Sequence, residues 1–306
     1  MRARWWAGMA LVMPLFLLPA GCAGAVAPIA PAAASLTTVV ARCVLTMPDA
    51  AAAAAARARL TRQADRYLRG RPGRIVYSAH DLVSGVRLGH GAHEDGLITA
   101  SGVKVDILMA RLARRDRLSE SERDLASRMI RRSDNLAADA LWWRIGGGAG
   151  LSAYYRRIGL AETIPGPTRY WGGTRTSPAD RIRLLELLVD GGGGLSAAER
   201  GLVLGLMGHV HHDQDWGVSA AARTGDRVAL KNGWVPRPFA RGTWAVTSYG
   251  RVTGPGRDLL LSVQTDLQPG HGQGIQSIEG LARLIGSRLG TLTPTRTGPC
   301  AAHPGV

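Results

Sequence analysis

The chain has 306 residues, a formal net charge of +15 and a pI of about 11.1. This length is sufficient for one large domain with a buried core. The charge invites a nucleic-acid partner, but the arginines are spread along the chain, and aromatic residues are not interleaved with them as a stacking surface requires. We therefore expect no nucleic-acid partner. A solvated arginine-rich surface is favoured, ahead of attraction to an anionic envelope polymer or membrane surface.

The N-terminus has the features of a targeting segment. Two arginines precede an apolar stretch over residues 5–19, which is too short and too interrupted by proline for a membrane span. Leu18-Pro19-Ala20-Gly21-Cys22 then resembles a bacterial lipoprotein signal, in which the cysteine is lipidated and becomes the first residue of the mature protein. A proline is unusual in that signal, so ordinary cleavage near Ala25 is the alternative. Both interpretations predict export, either as a lipoprotein on the outer face of the cell membrane or as a secreted protein.

The other two cysteines lie near the two ends of the exported part. Cys43 precedes the first helical pattern and Cys300 follows the last one. An oxidising compartment would allow a disulfide between them, worth about 5 kcal/mol for so long a loop. Two unpaired thiols in terminal segments are the alternative. We expect four segments, namely a signal over 1–22, a tether over 23–45, one domain over 46–290 and a tail over 291–306.

Apolar periodicity and turn residues predict the following elements in chain order. They are a helix over 49–69, strands over 74–81 and 86–89, helices over 101–114, 119–132, 151–159, 181–189 and 198–207, strands over 227–232, 243–251 and 258–265, and a helix over 274–289. This order predicts an α+β sandwich, in which a five-stranded antiparallel sheet has flanking helices and a helical subdomain is inserted between its strands.

The rarest residues of the chain are concentrated in three short motifs. Its only two lysines are Lys104 and Lys231, and its only two asparagines are Asn135 and Asn232. A GC-rich genome explains why lysine and asparagine are scarce, but it does not explain the positions of the lysines and asparagines that are present. Because an arginine keeps its charge while a buried ammonium can lose its proton, positions that retain lysine are candidates for a titratable or compact cation.

The three motifs combine groups that suit nucleophilic catalysis. Ser101 and Lys104 are three residues apart, so they share one face of a helix and the amine can take the hydroxyl proton. Ser133, in Ser-Asp-Asn, supplies a hydroxyl that can relay a proton, and Asn135 can orient Lys104 and the substrate through its amide. One Ser-x-x-Lys motif alone is weak, because many proteins contain it by chance.

The third motif, Lys231-Asn232-Gly233, follows on a predicted strand. Lys231 supplies a fixed cation there, and Gly233 would let a substrate backbone approach. Three motifs in this order, on a helix, a helix junction and a strand, form a strong signal. The chain resembles the penicillin-recognising serine hydrolases, and among them the class A β-lactamases, over roughly residues 46–290. Thr176-Ser177-Pro178, at the start of a helix, adds to this resemblance.

The resemblance implies a role for each matching residue. Ser101 would be acylated with Lys104 as its base, Ser133 would shuttle the proton, and Lys231 would hold a substrate carboxylate. The backbone N–H groups of Ser101 and Trp234 would form the oxyanion hole. It also implies a substrate-binding role for Asn232, Gly233, Trp234 and Arg241, the last standing about where the family has a carboxylate-binding arginine on the next strand.

Three departures from the family pattern bear on activity. The lactamases have a glutamate before the Ser-Pro helix start, where it activates the deacylating water. Here residues 160–179 contain one acidic side chain in that loop, Glu162, which lies close to the preceding helix and is favoured as a solvated surface residue. The span from Ser101 to Ser133 is about half the usual length, and Asn232 replaces a threonine or serine. We therefore expect acylation, and the departures count against rapid lactam turnover.

Other patterns are weighed against simpler interpretations. His209, His211, His212 and Asp213 suggest zinc, but their context favours a polar loop, and we expect no metal or other cofactor. A substrate role for Trp142, Trp143 or His271 is disfavoured; we expect one of the two adjacent tryptophans in the core and the other at an interface. Trp216 and Trp234 are better candidates for lining the cleft.

Three hypotheses follow. The leading one is an exported acyl-serine hydrolase, monomeric, acting on a β-lactam or a peptidoglycan-like acyl-D-Ala-D-Ala peptide. The second is a non-catalytic or slowly reacting module that binds penicillin or peptidoglycan. The third is a zinc hydrolase that uses the histidine cluster.

Overall fold

The computed structural model describes residues 40–42, 45–46, 50–94, 96–167, 169–292, 295–296 and 301–303. The lipidation candidate Cys22 and the disulfide candidates Cys43 and Cys300 lie outside these residues, so lipidation and the disulfide stay predictions. Within the described ranges, no helix has the length and apolar character needed to cross a membrane.

The strands and helices of the described residues are numbered in chain order. The strands are β1 (Val40–Arg42), β2 (Leu45–Thr46), β3 (Arg74–Asp81), β4 (Val86–His90), β5 (Leu97–Ile98), β6 (Arg175–Thr176), β7 (Arg227–Arg237), β8 (Thr243–Gly254), β9 (Arg257–Gln268), β10 (Thr295–Arg296) and β11 (Ala301–His303). The α-helices are α1 (Ala50–Arg69), α2 (Lys104–Leu112), α3 (Glu120–Arg131), α4 (Asn135–Arg144), α5 (Gly147–Ile158), α6 (Pro178–Asp190), α7 (Ala197–Met207) and α8 (His271–Arg288).

These elements belong to two units. In one, β1 pairs with β11; the other contains the remaining described elements, including the short pair β2 and β10. The second unit has a five-stranded sheet in the order β4-β3-β9-β8-β7, and every neighbouring pair is antiparallel. The predicted sheet is therefore confirmed. Among the described strands, β7 pairs only with β8 and so forms an edge of the sheet.

The two faces of the sheet pack against different helices, because successive side chains of a strand point to opposite faces. Leu259, Leu261 and Val263 of β9 belong to the core shared with α1 and α8. Leu260 of β9 and Tyr249 of β8 belong to the core formed with α2 to α7. Since those helices lie between β4 and β7 in the sequence, the predicted inserted helical subdomain is confirmed.

Several boundaries differ from those predicted. The helix predicted from residue 101 begins as a 3-10 turn, Ala100–Val103, and becomes α-helical at Lys104. Helix α5 starts at Gly147 instead of residue 151, because Gly146 adopts the left-handed conformation that the preceding turn needs. β7 extends five residues beyond the predicted 232, to Arg237, since an edge strand tolerates a proline such as Pro236, which lacks a ladder N–H.

Candidate active site

Ser101 lies in the 3-10 turn Ala100–Val103 that leads into α2. The preceding residue, Ala100, has a φ of 45°, a conformation that costs energy for a residue with a Cβ and persists only where the surroundings hold it. Tyr249 contributes to this hold, because its hydroxyl donates to the Gly102 carbonyl at 2.8 Å. The Ser101 side chain is partly exposed and has no hydrogen bond to another described side chain. The turn thus presents a hydroxyl that is open to an incoming group.

Lys104 is fully buried, with 0% of its surface exposed. Its amine donates to Asn135 Oδ1 at 2.7 Å, to Ser133 Oγ at 3.1 Å, and also to the Ser133 carbonyl. Three acceptors fix the position of this amine. Residues three apart lie on the same face of a helical turn, so we expect the Ser101 side chain on the same side of this turn as the Lys104 amine.

Ser133 connects α3 to α4 with a φ of 57°. The next residue, Asp134, caps α4 and accepts a hydrogen bond from Arg128 Nη1 at 3.2 Å, which ties the junction to α3. The Ser133 hydroxyl oxygen accepts from Lys104 Nζ at 3.1 Å and from Lys231 Nζ at 3.2 Å. A hydroxyl has two lone pairs, so when both amines are charged and donate to it, its own proton points away from the two lysines.

Lys231 reaches Ser133 from the edge strand β7. It is 1% exposed, and its amine also donates to the Asn232 carbonyl at 2.9 Å. At Gly233 the strand meets the turn of Ser101 so closely that a Cβ would lie 2.2 Å from the Thr99 oxygen and 2.8 Å from the Ser101 nitrogen. Glycine is required there because the protein's own backbone approaches this position. The predicted partner was a substrate backbone.

The Asn232 side chain points to the opposite face of the sheet from Lys231. Its amide nitrogen donates to the carbonyl of Gln214 at 2.8 Å and to that of Trp216 at 3.0 Å, and the residue is 1% exposed. The side chain therefore braces the segment over 214–216, and only the Asn232 carbonyl joins the lysine cluster. Its predicted contact with substrate stays a prediction.

Trp234 and Arg241 do not join the cluster through their side chains. The Trp234 ring shares the face of Asn232 and packs 5.8 Å from Trp216 and 5.2 Å from His271, measured between ring centroids. Burial lowers the pKa of His271 below its ordinary value. Arg241 was expected on the strand after β7, but this placement is wrong: it lies in the exposed turn between β7 and β8 with a φ of 58°. The reason is that β7 continues to Arg237, so that the turn falls at Arg241.

Burial controls the charge state of the two lysines. Desolvation lowers the pKa of Lys104 to about 7, although the carboxylates of Asp134 and Asp139 oppose this shift. Desolvation, together with the positive charge of Lys104, lowers the pKa of Lys231 well below its ordinary value. An amine with a pKa near 7 is partly neutral at physiological pH, as a proton acceptor must be.

The hydrogen-bond partners of Glu162 lie outside this cluster. Its carboxylate accepts from the Ser177 hydroxyl and lies 2.9 Å from His93 Nδ1, while its backbone N–H donates to Asp180 Oδ2 at 2.8 Å. Ser177 in turn caps α6 by accepting from the Asp180 N–H. Glu162 thus supports the start of the Ser-Pro helix, and its side chain is 30% exposed.

The loop before α6 instead brings Trp171 to the lysine. Lys104 Nζ lies 4.8 Å from the centroid of the Trp171 ring, and the indole N–H donates to Asp139 Oδ1 at 2.7 Å. Neither residue was singled out from the sequence. The one available signal was that Asp139 follows Asn135 by one helical turn, which places the two side chains on the same face of α4.

A buried ion pair between Asp106 and Arg181, which the sequence did not reveal, supports helix α2. Arg181 Nη1 donates to both carboxylate oxygens of Asp106, at 2.7 and 2.8 Å, and the Tyr155 hydroxyl donates to Asp106 at 2.6 Å. Arg181 and Asp106 are 1% and 0% exposed. Since Asp106 lies two residues after Lys104, this pair fixes the helix that carries the lysine against α6.

The weaker sequence signals have simple structural explanations. Trp142 is buried, as predicted for one of the two tryptophans, and Trp143 is 55% exposed, so its predicted place at an interface stays a prediction. His211 pairs with Asp213 at 2.9 Å on an exposed loop. Within the described ranges, no three histidine, cysteine or acidic side chains are grouped so that they could hold a metal ion.

Comparison with known proteins decides the family. The sequence model of the Beta-lactamase enzyme family matches residues 114–289, which is more than half of the chain. The chain belongs to the β-lactamase enzyme family. The predicted resemblance is thereby confirmed. Ser101 and Lys104 precede the matched residues, so their assignment depends on the sequence motif and on the geometry described above.

Solved structures share the fold of this chain. A class A β-lactamase from Mycobacterium abscessus has a TM-score of 0.65 at 22% identity, covering 76% of this chain and 99% of that one. A structure described as PBP-A has a TM-score of 0.67 at 22% identity, covering 76% and 96%. At such identities the similarity establishes the fold alone.

Curated relatives include the putative lipoprotein LppW of Mycobacterium tuberculosis strain H37Rv and of Mycobacterium bovis. Each is 30% identical over 183 residues. The match covers 56% of this β-lactamase-family chain and 57% of each relative. The chain therefore matches little more than half the length of these relatives.

Proposed function

We propose that this chain is an exported acyl-serine hydrolase that opens β-lactam or acyl-D-Ala-D-Ala-like amides through a Ser101 acyl-enzyme. The observation that carries this proposal is the convergence of two buried lysines, Lys104 and Lys231, on the hydroxyl of Ser133, beside the turn that presents Ser101. Such an arrangement suits proton transfer between a nucleophile and a leaving group better than it suits structural support, because burying two amines is costly.

Acylation follows from these positions. The neutral Lys104 amine accepts the proton of Ser101 as the serine oxygen bonds to the amide carbonyl carbon. The resulting tetrahedral intermediate collapses when the carbon–nitrogen bond breaks and the leaving nitrogen receives a proton from the Ser133 hydroxyl. Ser133 then recovers a proton from the lysine cluster. Lys231 would hold the substrate carboxylate, and Asn135 keeps the Lys104 amine oriented.

The oxyanion formed in that step needs two N–H donors. Gly233 contacts the backbone of Ser101, which supports a site between the N–H groups of Ser101 and Trp234. The Asn232 carbonyl accepts from Lys231 on β7. Because alternate residues of a strand point their backbone groups to the same edge, this supports a Trp234 N–H that faces the cluster.

Among the described residues, the two acidic side chains that act on Lys104 already accept hydrogen bonds, Asp134 from Arg128 and Asp139 from the Trp171 indole. Glu162 is engaged by Ser177 and His93, and the loop offers Trp171 at the lysine. We therefore infer a slow second step, which suits a penicillin-binding or D-Ala-D-Ala peptidase type of activity better than fast lactam destruction. Envelope localisation through a lipid on Cys22 is part of the proposal and is supported by the lipoprotein name of the relatives.

Intact-mass spectrometry after incubation with penicillin tests this function. The wild type is expected to gain the mass of one penicillin molecule, and the Ser101→Ala variant to gain none. An unmodified wild type, or an equal adduct on the variant, would refute the proposal. The lifetime of the adduct of a chromogenic cephalosporin then separates the two types of activity: hours indicate a penicillin-binding protein or sensor, and seconds indicate a lactamase.

A further inference from the structure

Trp171 covers the Lys104 amine on the side of the loop before α6. The lysine has hydrogen-bond acceptors at Ser133 and Asn135, and the indole ring lies 4.8 Å from its nitrogen on a further side. With the ring in place the lysine is 0% exposed, although Ser133 is only half-buried and Asn135 is exposed. An aromatic face attracts a cation, but it offers no hydrogen bond that would replace water.

The position of Trp171 is fixed from both ends. Its indole N–H donates to Asp139 Oδ1 at 2.7 Å, which attaches the loop to α4. The Thr174 hydroxyl donates to the Trp171 carbonyl at 2.8 Å, and the Thr174 carbonyl accepts from the Thr99 N–H at 2.8 Å. The loop is therefore connected to the strand that leads into the Ser101 turn. Because its ring is anchored in this way, Trp171 is a fixed part of the candidate active site.

We propose that Trp171 is a positioning residue that closes the loop over Lys104, excludes water from the amine and thereby maintains it as the base for Ser101. The catalytic role of Trp171 rests on the proposed function. It differs from a packing role because the ring lies over the reactive amine and is anchored by Asp139, a charged residue that also acts on that amine.

The charged groups around Lys104 predict whether a given substitution should raise or lower the pKa of this lysine. The carboxylates of Asp134 and Asp139 on α4 favour the charged form of Lys104. The positive charge of Lys104 in turn lowers the pKa of Lys231 on β7. Desolvation is the largest influence and lowers the Lys104 pKa to about 7. Loss of the Trp171 ring should therefore raise the pKa, and loss of the Asp139 charge should lower it.

The composition of the chain makes this measurement simple. Only Lys104 and Lys231 are lysines, so protein labelled with carbon-13 in lysine gives two sets of side-chain NMR signals, which the Lys231→Arg variant assigns. In Trp171→Ala we expect the Lys104 pKa to rise by about one unit or more toward the ordinary value near 10.4. In Asp139→Asn, which keeps an acceptor for the indole N–H, we expect it to fall. Trp143→Ala, which removes an exposed tryptophan of α4, the helix that carries Asp139, is the matched control and should leave the Lys104 pKa unchanged.

Acylation should follow these shifts. A rise from about 7 to about 8 lowers the neutral fraction of the amine at pH 7 about fivefold, and the acylation rate of Trp171→Ala should fall by at least that factor. Its pH profile should move to higher pH. If that variant does not fold, Trp171→Leu keeps apolar packing and should shift the pKa in the same direction by less.

The outcomes separate this inference from the proposed function. An unchanged or lowered Lys104 pKa in the folded Trp171 variant would overturn the role of Trp171, even when wild-type protein forms the penicillin adduct. Absence of an adduct on the wild type would refute the function, whereas the NMR titration would still test whether the indole keeps water from the amine.

Discussion

Replacing Gly233 by alanine tests how closely β7 must approach the Ser101 turn. An alanine Cβ at this position would lie 2.2 Å from the Thr99 oxygen, 2.7 Å from the Gly102 nitrogen and 2.8 Å from the Ser101 nitrogen. All three are backbone atoms, so no flexible side chain can move aside. Either the strand or the turn has to shift.

The size of that shift follows from the distances. Ordinary contact begins at 3.4 Å, so the Thr99 oxygen must move about 1.2 Å from the new Cβ. A displacement of about 1 Å in a reactive geometry costs about 100-fold in rate. Overpacking in a well-packed region lowers the free energy of unfolding by about 1–3 kcal/mol. We therefore expect the Gly233→Ala variant to remain folded, with acylation slowed about 100-fold.

Acylation is measured by the time course of adduct formation in intact-mass spectra, and stability by urea unfolding. Gly201→Ala is the matched control, since no atom lies within 4 Å of its added Cβ and it sits inside α7. It should acylate normally and gain about 0.5–1 kcal/mol in unfolding free energy. Near-normal acylation by Gly233→Ala would show that the close contact is not needed to form the site.

Three other substitutions probe separate parts of the structure. Asp106→Asn leaves the Arg181 guanidinium buried without its carboxylate and should lower the free energy of unfolding in urea by about 3–5 kcal/mol. The exposed control Glu94→Gln should lower it by less than about 1 kcal/mol, and equal losses in the two variants would contradict this prediction. Wild-type acylation should increase as the pH rises through about 7, because the neutral amine of Lys104 is the reactive form, and Lys104→Arg should acylate at least about 100-fold more slowly in stopped-flow assays at every pH. Glu162→Gln should change the adduct lifetime less than about twofold by mass spectrometry; a tenfold longer lifetime would make Glu162 a deacylating base.

The lowered pKa of Lys104 also affects folding stability, and its sign can be derived. The unfolded chain has an ordinary lysine pKa near 10.4, so between about 7 and 10.4 it binds more protons than the folded chain does. This group therefore makes the protein more stable as the pH rises across that window. The difference in urea midpoint between wild type and Lys104→Met should grow in favour of the wild type from pH 7 to pH 10.

Local sequence signals predicted much of the fold. Strand β3 has the predicted bounds, Arg74–Asp81, because its apolar residues alternate and a glycine turn follows. Ser119 forms a capping box with Glu122 at the start of α3, and Ser177 caps α6 directly before Pro178. The caps act over fewer than about five residues and the alternation over the eight of β3, so these signals are local.

Features that depend on distant partners were not predictable in this way. The contact of Trp171 with Lys104 joins residues from different helices and loops, and no periodicity marks a loop tryptophan for a lysine. The ion pair of Asp106 and Arg181 spans 75 positions of the sequence. Arg241 was misplaced because the end of β7 depends on its pairing with β8.

The sequence by itself determined the order of the elements, the family resemblance and the chemical identity of the groups, since a serine, two lysines and an asparagine are present whatever the fold. Only the tertiary structure decided which of these groups meet. It brings Lys104 and Lys231 to one hydroxyl, turns the Asn232 side chain to the other face of the sheet and covers Lys104 with an indole. The physical reason is that packing between distant segments determines which side chains are buried and in which direction they point. Burial in turn lowers the pKa of a lysine, so that its amine can act as a base.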